Sequence, residues 1–164
     1  MTMPQGVQRH LIFHENLIRA YLPPKYWDRE SDYFVEGVEF NTLGASAANA
    51  VDTFTVQNES DFLVFGISAI ETTTAAGTTE QTFWPVTVRF FDTGSGASWF
   101  GDFKQLHNVA GRGSSDGQGY RPLRHPRLVV GGSTVTVEAN NLEATARRLW
   151  IDFHGAKIFR RPRT

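Results

Sequence analysis

Apolar and polar residues alternate with a period of two in most patterned segments after residue 50. The pattern is clearest at Val86-Thr87-Val88-Arg89-Phe90, Thr134-Val135-Thr136-Val137-Glu138 and Leu149-Trp150-Ile151-Asp152-Phe153. Successive strand side chains point to opposite faces, so Val86, Val88 and Phe90 share one face and Thr87, Arg89 and Phe91 the other. The period predicts strands near 52–57, 61–71, 83–91, 98–103, 127–130, 133–140 and 147–159. Phe62 to Ile67 is apolar on both faces, as a central strand would be. Turn-forming stretches separate these runs at 72–79, 92–97, 111–119 and Gly131-Gly132. Short strands at this spacing predict an all-β chain: a single antiparallel β-sandwich, jelly-roll-like, with an extended N-terminal arm.

The first fifty residues are apolar without being periodic. Residues 11–22 could wind into one amphipathic helix, which Pro23-Pro24 must stop, because proline lacks an amide proton and restricts the residue before it. Tyr26-Trp27 and Tyr33-Phe34-Val35 would be left wet unless their own domain or a partner covered them. The expected organisation is an arm over 1–34, a β-sandwich domain over 35–159 and a basic tail over 160–164.

Composition narrows the class. The 164 residues, 40% hydrophobic and 13% aromatic, suffice for one domain with a core. Cysteine is absent, which excludes disulfides, thiolate zinc sites and cysteine nucleophiles. No run reaches the eighteen or so apolar residues of a membrane helix, and the N-terminus lacks a signal-peptide layout, so a product of the reducing cytoplasm is expected. The net charge of −1 hides a split: residues 1–80 hold eleven acids against four bases, a balance of −7, and residues 81–164 stand at +6. An acidic arm leaving the body could dock head-to-tail on a neighbour's basic face.

Candidate chemistry is sparse. Phe91-Asp92-Thr93-Gly94 matches the Asp-Thr-Gly of aspartic proteases, whose carboxylate shares a proton with a second one, so this chain would need a homodimer. The alternative is a turn in which Asp92 caps backbone amides. The run Gly111-Arg112-Gly113-Ser114-Ser115-Asp116-Gly117-Gln118-Gly119 lacks the Gly-Lys-Ser/Thr ending of a P-loop and reads as a surface loop. His10 and His14 have a helical metal-ligand spacing but no third ligand nearby, so no metal or cofactor is expected. Arg121, Arg124, His125, Arg127 and the tail Arg160, Arg161 and Arg163 are basic. A net charge near zero nevertheless argues against dedicated nucleic-acid binding. Trp84, Trp99 and Trp150 leave a carbohydrate-binding sandwich as a further alternative.

Several stretches together resemble small virion structural proteins of tailed bacteriophages, of the capsid decoration (cement) or collar type. They are Ser60-Asp61-Phe62-Leu63-Val64 with Ile67-Ser68-Ala69, and Val86-Thr87-Val88-Arg89-Phe90 with Asp92-Thr93-Gly94-Ser95-Gly96. His107-Asn108-Val109-Ala110-Gly111, Pro126-Arg127-Leu128, Gly131-Gly132-Ser133 and Arg147-Arg148-Leu149-Trp150 with Phe153-His154-Gly155 continue the likeness, over roughly 33–158. None is a catalytic motif. The resemblance implies a non-enzymatic protein of the virion, assembled in the host cytoplasm as a dimer or trimer that contacts capsid or neck proteins. Decoration of the head is the favoured role, and collar, tail tip or fibre base the alternatives. Aromatic residues dominate interface energetics, so Tyr21, Tyr26, Trp27, Tyr33 and Phe34 are the expected contact anchors, with Arg160, Arg161 and Arg163 as a salt-sensitive tail contact.

Overall fold

In a computed structural model, residues 15–73, 85–112 and 119–162 are described. They hold ten strands: β1 Arg29–Leu43, β2 Ala50–Thr55, β3 Ser60–Thr73, β4 Val86–Asp92, β5 Ala97–Ser98, β6 Lys104–Gln105, β7 Gly111–Arg112, β8 Arg121–Val129, β9 Thr134–Asn141 and β10 Arg147–Pro162. Helix α1 covers 15–21, a 3-10 turn covers Pro24–Tyr26, and α2 is the single turn Leu106–Val109.

The strands form two sheets. In the first, β1 pairs with β10, β10 with β3, and the far edge of β3 carries both β8 and the short parallel β7. In the second, β2 pairs with β9, β9 with β4, and the far edge of β4 carries β5 and β6. Successive long strands pass from one sheet to the other, and only antiparallel pairs link them. With β5/β6 and β7/β8 each counted as one edge, this is the eight-stranded double Greek key of a jelly roll.

The period-two pattern places the core between the sheets. Val86, Val88 and Phe90 meet Val135, Val137 and Ala139 from the neighbouring strand, and Leu149, Ile151 and Phe153 face them from β10. At the centre Phe153 lies 5.1–5.7 Å from the rings of Phe54, Phe90 and Trp99, in tilted or edge-on packing. Trp99 is thereby a core residue rather than an exposed sugar platform.

The N-terminal residues differ from expectation. β1 starts at Arg29 and runs across the boundary placed at 34/35, pairing with β10 from Arg29↔Pro162 onward. Ile18, Leu22 and Tyr26 lie on the outer face of the first sheet, over Leu63, Ala156 and Ile158. Of the amphipathic segment read over 11–22, Leu17, Ile18 and Leu22 thus find apolar partners on this chain's own sheet, Tyr21 is exposed, and residues 11–14 lie outside the described residues. A strand at 98–103 gives way to β5 and β6, separated by a bend at Gly101, whose φ of +79° suits a residue without a side chain. β8 extends back to Arg121 through Pro122 and Pro126, which an edge strand tolerates because its outer amides need no ladder partner.

A buried polar knot closes one end. Arg147 lies 2.9 Å from Glu71, both at most 2% exposed, and also pairs with Glu143. Beside it the Asn141 amide donates to the carbonyls of Leu43, Gly44 and Thr145, while its oxygen accepts from the Glu143 amide.

Candidate functional site

The outer face of the first sheet is read from register. Inward positions of β10 are Leu149, Ile151 and Phe153, so Arg148, Trp150, Asp152, His154, Ala156 and Ile158 alternate on the outside. Across them β1 sets Glu39 beside Trp150, Gly37 beside Asp152, Val35 beside His154 and Tyr33 beside Ala156. From the other side β3 supplies Ile70, Ser68, Gly66 and Leu63 at the same levels. The α1 segment covers the Ala156–Ile158 end, and the rest of the row is a polar and aromatic strip.

His154 organises that strip. Tyr33 Oη lies 2.5 Å from its Nδ1 and Ser68 Oγ 2.8 Å from its Nε2, while the Tyr120 ring stacks on the imidazole at 4.8 Å. Tyr120 reaches this position because residue 66 is glycine: a Cβ there would occupy the space of the Tyr120 ring. A bulge opposite His154–Gly155 inserts Phe65 into β3, and Phe65 buttresses Tyr33 and Tyr120 at 6.2 and 5.8 Å. Burial lowers the His154 pKa, against the pull of Asp152, and raises that of Tyr33. A neutral imidazole then accepts at one nitrogen and donates at the other, and a hydroxyl suits either role.

The Ser68–His154 pair has the spacing of a nucleophile and its base. Ser68 is only 4% exposed, however, and a Tyr33 hydroxyl stands where a carboxylate would orient the histidine. The pair serves as a strut between β1, β3 and β10. Asp152 differs from its neighbours: no hydrogen bond or ion pair reaches its carboxylate among the described residues. Burial raises its pKa, partly offset by His154.

The residues expected as contacts divide. Tyr21 (49% exposed), Trp27 (40%) and Tyr33 (43%) present their rings to solvent, although the Trp27 indole donates to the Leu22 carbonyl at 3.0 Å. Tyr26, 6% exposed, belongs to the cluster under α1, with the Arg29 guanidinium 4.8 Å from its ring centre. Phe34 packs edge-on against Phe62 at 6.2 Å. These two are committed to the fold's own packing, as the inward positions of a strand and a capped turn require. Arg160 lies 3.3 Å from Asp61 and Arg161 2.9 Å from Glu30, so both basic groups are held within the chain. Arg163 lies outside the described residues, as do His10, His14, Trp84 and the centre of the 111–119 loop.

Asp92 is buried and accepts from the amides of Gly94 at 2.8 Å and Ser95 at 3.3 Å, the geometry of a capped turn. Thr93 locks that turn to β9 by exchanging bonds with Thr134. Asp61 likewise accepts from the Gly131 amide. Among the described residues, no three His, Asp or Glu side chains converge as a metal site.

The sequence offered Trp150 as a possible ligand contact and gave no site role to Asp152, His154, Ser68 or Tyr120. The β10 alternation was a signal for the first two, whereas Ser68 and Tyr120 join them through pairing of distant strands. No family model matches this sequence, and no curated protein matches it. Among solved structures, dimeric latent PorU from Porphyromonas gingivalis is similar over 80% of this chain at 14% identity, with a TM-score of 0.36. The likeness takes in 13% of that chain.

Proposed function

We propose that this chain is a structural protein of a tailed-phage virion, a head decoration protein that works by docking rather than catalysis. The observation that carries the reading is the outer side of the first sheet. Tyr21 on α1 and Tyr33 and Val35 on β1 are large exposed side chains of elements on that side, and the exposed Trp27 lies in the link between those elements. Rigid aromatic groups there can anchor an interface at low entropic cost. The sequence segments that resemble phage particle proteins support the same reading, although they serve the fold. Asp61, Gly131, Asp92 and Thr93 build turns, and Phe62, Val88 and Phe153 build the core. A collar or tail position would use the same surface.

The test is mass spectrometry of purified particles of the encoding phage, with cryo-electron microscopy of particles carrying Trp27→Ala. The expected result is a stoichiometric particle component whose occupancy falls in the variant, for a cost of about 2 kcal/mol or more in assembly. Absence of the chain from particles, or full occupancy with Trp27→Ala, would overturn the proposal.

A further inference from the structure

We propose that the strip around Asp152 is a receptor for one arginine side chain of a partner protein, inserted beside Trp150 with its guanidinium on the Asp152 carboxylate. This deepens the docking reading by naming the chemical group the surface takes.

Among the described residues the charged groups along the row are paired with one exception. Arg148 is balanced by Glu39 at 3.0 Å and held by Asn41 at 3.1 Å. His154 has both ring nitrogens engaged by hydroxyls, and burial lowers its pKa, which favours the uncharged imidazole. Among the described residues Asp152 is left with no ion-pair or hydrogen-bond partner, half-buried between these groups. A partly desolvated carboxylate in that state gains most from a cation that also donates hydrogen bonds, and sugar hydroxyls would leave its charge standing.

The surroundings select arginine among cations. Gly37 on β1 leaves room for the carboxylate to lean across that strand: a Cβ there would come within 2.8 Å of the Asp152 oxygen. Trp150 is two residues along the same face, about 6.6 Å away at strand spacing, so a guanidinium on Asp152 falls within reach of its ring. The row already shows this contact once, with the Arg148 guanidinium 4.8 Å from the Trp150 centroid. At the other end stand Tyr120 and His154, stacked on each other and fixed by Gly66. A planar fork that stacks on aromatic faces and pairs bidentately suits this strip better than a compact ammonium.

The experiment titrates the isotope-labelled full chain with the acetylated, amidated peptide Gly-Arg-Gly and with its citrulline counterpart, following the Trp150 indole resonance by NMR. The expected result is a saturable shift at roughly millimolar peptide, about tenfold weaker with citrulline and abolished by Asp152→Asn with the remaining spectrum unchanged. Equal response to the two peptides, persistence in Asp152→Asn, or no response would overturn the proposal. So would a Trp150 shift with N-acetylglucosamine in place of the arginine peptide. Should Asp152→Asn perturb the whole spectrum, the arginine–citrulline difference on the parent chain decides. The readout uses the isolated chain, so its failure is distinguishable from absence of the chain from particles.

Discussion

Replacing Arg147 by methionine removes the cation from the buried end knot and leaves Glu71, 2% exposed, facing the gap. At the observed 2.9 Å separation the gross attraction is about 6 kcal/mol for an effective dielectric of ~20. The net loss is smaller, because a stranded carboxylate escapes by taking up a proton. Burial already pushes the Glu71 pKa up from 4.5, with Arg147 pulling it back. Holding that group protonated at pH 7, when the unfolded chain would ionise it at 4.5, costs about 3.4 kcal/mol, and this caps the Glu71 contribution. Arg147→Met should therefore destabilise by about 3–4 kcal/mol at pH 7, in line with other broken buried pairs. Because protonation sets the cap, the cost should shrink to about 1 kcal/mol near pH 5. Adding Glu71→Leu, which removes the stranded charge, should recover most of the loss at pH 7. Urea denaturation of parent, single and double variants at both pH values measures these terms as a cycle. A loss under about 1 kcal/mol at pH 7, or one equal at both pH values, would refute the reasoning.

Two further outcomes follow from the outer strip. The native chain holds His154 below its ordinary pKa of 6.5, so the unfolded chain binds more protons and stability is lost as pH falls through 6.5 toward the native value. Unfolding free energies from urea denaturation between pH 7.5 and 5.5 should fall for the parent, by at most about 1.4 kcal/mol per pH unit from this group, and less for His154→Asn; parallel slopes would contradict it. Asp152, Glu71 and Glu36, all raised by burial, act with the opposite sign, since acidification protonates them more readily in the native state. Gly66→Ala drives a methyl group into the Tyr120 ring, and should cost about 1–3 kcal/mol while weakening the near-ultraviolet circular dichroism signal of the strip. An unchanged spectrum and unchanged melting temperature would mean that Tyr120 does not need the space.

Where one face of a strand is buried, the sequence alone located it. β4, β9 and most of β10 follow directly from period-two alternation, because the core admits only apolar side chains at every second residue. The turn at Asp92–Gly96 was equally legible, since its carboxylate acts on amides two and three residues away. The first part of β1, before residue 35, was obscured because it pairs with β10 in a way that no local pattern records. The charge split shows the same limit. It suggested an acidic arm seeking a basic neighbour, yet antiparallel pairing of β1 with β10 brings Glu30 to Arg161 and Glu39 to Arg148 within one chain. Opposite charges far apart in sequence thus compensate each other locally. The strip around Asp152 is the furthest from sequence. Trp150, Asp152 and His154 come from one strand, but Gly37, Ser68 and Tyr120 arrive 32 to 115 positions away, and only the sheet register sets them side by side. Local periodicity fixes which face a residue takes; which residues meet on that face is settled by long-range strand pairing.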